Sequence, residues 1–401
     1  MHFCIYLRKN KYNMAGITNK VGPCVEREDF YGRKQELENA WRLIETGHSL
    51  ILAAPRRVGK TSFAKKINEY GESKGWMHIY INVERVKDIT GFVELLTAEL
   101  EKCLNWPGKL LRKLKSIGKG VKFTAQIEEV TYGVELNSKD MPSILKLQEL
   151  MDRLVQEKII IVCDELAVLL KKIAESGENG TKNAENLLNL LRSYRTMDNC
   201  ANRWIFCSSI SIESFLESQG LSSCMNDVKR FTLDELNEEE AHGLLLELSA
   251  RNNYTFRRAE RAYLFKKIGL RLPYYIQMMY SEIYNIKGNG GDMAVHTTDI
   301  DEAYGAITRQ QLYFSTWSER LRDYPEEPDL RKVLKQIAQS RDGCSRNILT
   351  GLFPDRDSAE ELVAKLITIL NNDGYIILNS NMKYVFRSFL LRDYWHYKFI
   401  A

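Results

Sequence analysis

Residues 48–67, HSLILAAPRRVGKTSFAKKI, constrain this chain more than any other stretch. An apolar run leads into a short loop ending in Gly59, Lys60 and Thr61, and helical periodicity follows at once. A strand that turns through such a loop into a helix opens a parallel α/β unit. The successive loop N–H groups and the helix N-terminus together make a seat for phosphate. The pattern behind this reading is G-x-x-x-x-G-K-[ST]. Here it is filled by Ala54, Pro55, Arg56, Arg57, Val58, Gly59, Lys60 and Thr61, with Ser62 next. Alanine reaches positive φ only at a cost that glycine escapes, so the loop works only if Ala54 keeps an ordinary backbone conformation. In this pattern Lys60 bridges the β- and γ-phosphates of ATP and the Thr61 hydroxyl holds Mg²⁺.

A second motif lies about a hundred residues on. EKIIIVCDE, 157–165, is apolar until its last two residues, as expected of a strand covered on both faces. Its terminal acids suit the same chemistry: Asp164 accepts Mg²⁺ through water, and Glu165 polarises the attacking water as general base. Alone, the two acids would read equally well as the acidic first turn of a helix. Their order after the phosphate loop, each motif following an apolar strand, favours the catalytic reading. HIYINVE, 78–84, and NRWIFCSSI, 202–210, supply two more strands, and the latter runs into Ser208 and Ser209. A hydroxyl there suits a group that senses or positions the attacking water, and Ser208 is the candidate.

At 401 residues the chain is longer than one core usually supports. Its 27% charged and 44% hydrophobic residues exclude a wholly disordered or fibrous chain. Its net charge of +4 permits an acidic partner without requiring one. The 8 cysteines include no CxxC pair, which argues against a disulfide framework or zinc site and for a reducing, cytoplasmic setting. The histidines are scattered, so any metal is expected to arrive with a substrate. No run of about 18 apolar residues could span a membrane, and the first 13 residues are too polar for a secretory signal.

Four segments are expected: an N-terminal extension over 1–26, the α/β core over 27–215, a helical lid over 216–290, and a linker helix with a terminal domain over 291–401. Within the core, 105–140 reads as an insertion whose first half carries Lys109, Arg112, Lys113, Lys115, Lys119 and Lys122 without an acid among them. After residue 215 strands are expected to vanish until GYIILNSNMKYVF, 374–386, which reads as two strands about a turn at Asn379, Ser380 and Asn381. Three helices followed by that ribbon outline a winged helix.

With these residues in hand, the chain resembles the AAA+ and STAND branch of P-loop ATPases, in particular archaeal-type ATPases related to replication-origin initiators. The resemblance runs from about residue 27 to the C-terminus. It implies an α/β P-loop NTPase core, a parallel sheet flanked by helices, followed by an all-α lid and a C-terminal winged-helix domain. DFYGRKQE precedes the loop as that group's GR-x-x-E box does, which implies that Tyr31, Gly32 and Arg33 lie in the nucleotide pocket. KKIGLRLPYY is similar to the lid segment where a proline approaches the nucleotide, which assigns Pro273 there; Arg271 departs from the usual spacing for a sensor arginine. Such ATPases usually take an arginine from a neighbouring subunit, which implies a homo-oligomer. LLRSYRTMDN offers Arg192 and Arg195 for that role, with Arg195 the chosen candidate and Arg230 a further contender.

Two functions stay open. One is an ATP-binding and hydrolysing switch that oligomerises and acts on DNA, with the basic stretch 109–122 gripping phosphates by charge. That stretch is equally a solvated amphipathic helix face. The other is a signalling or scaffold ATPase that controls a protein effector through the winged helix. The helix expected at 358–372 favours the second, because a DNA-reading helix needs arginine and lysine. This one offers Glu360 and Glu361 against Lys365, with Asp355 and Asp357 just before it. Lys383, Arg387 and Arg392 remain as possible backbone contacts.

Overall fold

The computed structural model describes residues 16–104, 141–288, 292–354 and 358–400. The basic stretch 109–122 and the expected insertion at 105–140 lie outside the described residues, as do 1–13, Asp355 and Asp357. The chain divides into two compact units. One comprises Lys34–Ala53 and Lys60–Leu233, and the other Met1–Arg33, Ala54–Gly59 and Asp234–Ala401.

The first unit runs α1 (Lys34–Glu45), β1 (Leu50–Ala53), α2 (Lys60–Ser73), β2 (Met77–Asn82), α3 (Ile89–Leu104), α4 (Met141–Leu154), β3 (Ile159–Asp164), α5 (Leu166–Ala174), α6 (Gly180–Arg195), β4 (Arg203–Cys207), α7 (Ile212–Ser218) and β5 (Lys229–Thr232). Its strands form one sheet in the order β2-β3-β4-β1-β5, and every neighbouring pair is parallel. Parallel pairing demands crossover helices, and these cover the sheet. Every residue of β3 is buried, as the continuous apolar run requires. Phe92, Val93, Leu96 and Leu100 of α3 and Leu147, Met151 and Leu154 of α4 join the core cluster with β2 and β3. Burying each such side chain contributes roughly 1.5–3 kcal/mol. Helix α2 lies close on the sheet through Gly71, where a Cβ would come 2.7 Å from Ile160 Cδ1.

The expected strands at β1, β2, β3 and β4 are present. The expectation that strands vanish after residue 215 is corrected by β5, which pairs with β1 from Leu50↔Lys229 to Ala53↔Thr232. Its sequence, KRFT, buries only Phe231, which stacks on Phe63 of α2 with ring centroids 5.8 Å apart. An edge strand of four residues with one buried side chain leaves almost no apolar pattern to read.

The second unit holds α8 (Glu238–Ala250), α9 (Arg258–Ile268), α10 (Pro273–Lys287), α11 (Thr297–Arg309), α12 (Gln311–Arg320), α13 (Glu327–Gln339), α14 (Arg346–Thr350), α15 (Ala359–Asn372), the ribbon β6 (Ile376–Leu378) and β7 (Tyr384–Phe386), and α16 (Phe389–Phe399). Asn237 caps α8 by accepting the Glu240 N–H at 2.8 Å. The N-terminal residues 16–29 are tied to these helices: Thr18 accepts from Arg251, which follows α8, and Asn19 donates to the Gln277 carbonyl of α10. The ribbon is antiparallel, and its turn is closed by the Asn379 carboxamide oxygen, which accepts the N–H of both Asn381 and Lys383 at 3.0 Å. Among the described residues no helix is long and apolar enough to cross a membrane.

Candidate functional site

In open parallel sheets ligands bind at the carboxyl ends of the strands, where the helix N-termini converge. At that end of β3, Asp164 is 3% exposed, and its Oδ2 accepts two hydroxyl hydrogens, from Thr61 Oγ1 and from Tyr80 OH, both at 2.8 Å. Burial pushes the Asp164 carboxyl above its ordinary pKa, although the Tyr80 and Thr61 hydrogen bonds pull the other way. The Tyr80 phenol is held well above its own ordinary range by burial and by the neighbouring carboxylate. Thr61 and Asp164, expected to act on one metal ion from positions 103 residues apart, are therefore in direct contact. A hydroxyl and a carboxylate are hard oxygen donors that suit Mg²⁺. Among the described residues no group of three His, Cys, Asp or Glu side chains could hold a metal by itself. The donor set thus fits an ion that brings further oxygen ligands with a phosphate substrate.

Glu165 follows in a left-handed conformation, φ 65°, at the N-cap of α5. That unusual backbone turns its carboxylate toward the end of β4. There Oε2 accepts from the Ser209 N–H at 2.8 Å, the Ser209 hydroxyl at 2.6 Å and the Ser208 hydroxyl at 3.2 Å. Ser208 thus meets Glu165, but Ser209 holds it more closely and was not singled out from the sequence. Tyr80 was missed as well. Only the β2–β3 register reveals it: Asn82 pairs with Asp164, and Tyr80, two residues back, faces the same side.

Residues Ala54–Gly59 cluster with the second unit. Positive φ occurs at Arg57 (66°) and Gly59 (95°) and not at Ala54, so the missing first glycine leaves no strained residue in its place. The box residues secure this loop. Arg33, 2% exposed, donates from Nη2 to the Val58 carbonyl at 3.2 Å and to the Asp234 carbonyl at 2.7 Å. The Arg33 N–H bonds the Glu240 carboxylate, and Gly32 at φ 73° packs against the same side chain. Tyr31 lies on Gly243 of α8 so closely that a Cβ there would fall 1.9 Å from the phenol oxygen. Glu240 and Gly243 were not anticipated. Arg56 is largely buried, and burial together with Arg320 and Arg57 lowers its pKa to about 10, which leaves it protonated at neutral pH.

Pro273 stands in the first turn of α10. Arg271 is engaged with Glu235 at 3.2 Å and with the Leu236 carbonyl at 3.0 Å. Arg195 is placed against expectation. Its side chain is 2% exposed, it makes paired bonds to Asp227 at 2.8 and 3.0 Å, and its guanidinium lies 5.3 Å from the Phe206 ring centre. The guanidinium is thus engaged within its own unit. Arg230, 63% exposed beside Glu213, is the open alternative.

A family model described as an AAA-like domain matches residues 20–351. Among solved structures, a Walker-type ATPase of Pyrococcus abyssi is 14% identical, with a TM-score of 0.61 over 94% of this chain and 99% of that one. The ORC2 protein of Aeropyrum pernix, solved in ADPNP–ADP complexes, is 11% identical, with a TM-score of 0.50 over 90% and 91% of the two chains. At such identities the likeness speaks to the fold. No curated protein matches.

Proposed function

The chain belongs to the AAA-like domain family, and from that premise we propose that it binds and hydrolyses ATP as a nucleotide-dependent switch. The observation that carries this reading is the 2.8 Å contact between the Thr61 hydroxyl and the Asp164 carboxylate. It joins the residue after Lys60 to the acid that ends β3. On this reading the N–H groups of Ala54 and of 56–59 wrap the phosphates over Pro55, with Ser62 in the first turn of α2. Lys60 offsets their charge, and Glu165 withdraws a proton from the attacking water. Thr61 and Asp164 would hold Mg²⁺, which would supply charge neutralisation on the phosphate oxygens. Tyr31, Gly32, Arg33 and Pro273 complete the nucleotide pocket, Arg33 by fixing the loop itself. In a homo-oligomer, Arg230 is the arginine we assign to the neighbouring site.

Titration with a fluorescent ATP analogue and steady-state phosphate release test the proposal. Lys60→Ala is expected to lose binding, and Glu165→Gln to bind ATP while turnover stops. Normal hydrolysis by Glu165→Gln would refute the assigned base.

For the partner, we infer an all-α lid followed by a C-terminal winged helix, built by α13–α15 and the ribbon, that engages protein rather than reading DNA sequence. Glu360 and Glu361 of α15 are exposed, and Lys365 is taken up by Glu326 at 2.5 Å. Arg392 is paired with Asp393 at 2.7 Å, while Ile377, Leu378 and Met382 of the ribbon expose apolar surface. Such a surface favours an effector partner, as in a signalling or scaffold ATPase. DNA binding through 109–122 is the competing reading, and it predicts affinity that falls steeply with salt. Salt-sensitive binding that disappears when those lysines become alanine would overturn the protein-partner reading.

A further inference from the structure

The phosphate loop is gripped along its outer side by three elements of its own unit. The Arg57 guanidinium carbon lies 4.4 Å from the centre of the Tyr274 ring on α10, and that of Arg56 lies 5.7 Å from the Trp317 ring on α12. At Gly374, just before the ribbon, a Cβ would fall 2.7 Å from Pro55 Cβ. Three consecutive loop residues thus each meet a separate partner.

The grip falls where the loop is under strain. Arg57 holds φ 66°, a left-handed conformation that disfavours any residue with a β-carbon. The concave seat for an anion depends on such alternation of right- and left-handed residues, so the loop keeps its shape only while Arg57 stays there. Among the described residues Arg57 Nε and Arg56 Nη1 are buried without a hydrogen-bond partner, and the ring faces supply attraction to both guanidinium groups. Tyr274 is 7% exposed and Trp317 2%, so both rings are fixed by their surroundings. Trp317 is further anchored by Tyr375, whose hydroxyl donates to its carbonyl at 2.6 Å.

We propose that Tyr274 and Trp317 are positioning residues for the phosphate loop: they hold Arg57 and Arg56 and keep the loop in its phosphate-receiving shape before nucleotide arrives. The inference rests on reading this loop as the ATP site and adds a regulation to it. Nucleotide affinity depends on how α10 and α12 are seated, and by reciprocity bound nucleotide tightens that seating.

Two readouts on the full chain test this: the dissociation constant for fluorescent ADP, and hydrogen exchange of the loop amides without nucleotide. Tyr274→Leu keeps apolar volume but removes the π face. It is expected to weaken ADP binding roughly five- to thirty-fold and to speed exchange at residues 56–59, while Tyr274→Phe stays near wild type. In an Arg57→Gly background, with neither strain nor guanidinium, Tyr274→Leu should change affinity less than about two-fold. Equal losses in both backgrounds would mean that the ring supports the fold and not the loop, and would overturn the proposal. Unchanged affinity and exchange in Tyr274→Leu would do the same. Should Tyr274→Leu fail to fold, Arg57→Met breaks the pair from the other side with the same expected loss. Wild-type protein that binds no nucleotide would refute the ATP reading, and the exchange data would still decide the positioning role.

Discussion

Asp227→Ala should be among the most damaging single substitutions in the sheet unit. It leaves the Arg195 guanidinium, 2% exposed, without its carboxylate and with only the Cys224 carbonyl at 3.2 Å. Removing one member of a buried pair costs about 3–5 kcal/mol, because the remaining charge stays desolvated. The Asp227 side chain is 22% exposed, so water can partly replace it, and the lower figure of about 3 kcal/mol applies. For a unit of roughly two hundred residues this lowers the midpoint of thermal unfolding by about 6–12 °C. Calorimetry of the full chain is the assay, with Arg195→Met/Asp227→Leu as comparison, since replacing both partners by apolar residues should restore most of the loss. Burial alone would raise the Asp227 pKa, but the hydrogen bond and charge of Arg195 outweigh it and hold the carboxyl below its ordinary 3.8. With the folded-state pKa depressed, the pair contributes fully above roughly pH 4 and loses its contribution as pH falls through the folded value. The gap between wild type and Asp227→Asn should therefore close only in acid. A fall of less than about 2 °C in Asp227→Ala, or a single Arg195→Met substitution that abolishes ATP turnover without altering stability, would refute the internal role given to Arg195.

Two further outcomes follow from the same geometry. Ser209→Ala removes the 2.6 Å hydroxyl bond to Glu165; a hydrogen bond to a charged group is worth about 1.5–3 kcal/mol, so the carboxylate should be released more often and kcat should rise by roughly ten- to a hundred-fold with KM unchanged. A fall in kcat would mean that the clamped orientation is the working one. Gly243→Ala should destabilise the helical unit by about 1–3 kcal/mol through collision with the Tyr31 hydroxyl, and Tyr31→Phe should recover much of that in a thermal melt; no recovery would place the strain elsewhere.

What was legible in the sequence was whatever the backbone period or a local motif dictates. The β3 strand, buried on both faces, appears as IIIVC. Two motifs far apart in the chain assign Thr61 and Asp164 to one metal ion, and the structure brings the two side chains together. Edge strand β5 was not, because pairing with β1 defines it and apolar content does not. Arg195 is hidden for a similar reason: a helix-terminal arginine looks exposed until its partner, 32 residues downstream, is seen beside it. Tyr80, Ser209, Glu240 and Gly243 act through contacts between elements, and no local pattern distinguishes them from ordinary strand and helix residues.

The strand order also sets a problem for synthesis. Among the described residues β1 is the first strand made and pairs only with β4 and β5, so it has no partner until Arg203–Cys207 has left the ribosome. At ordinary elongation rates that interval is on the order of ten seconds. Throughout it the apolar segment Leu50–Ala53 is an open template for pairing with other chains. Production of this protein should therefore be limited by what shelters that segment during translation more than by the stability of the finished sheet.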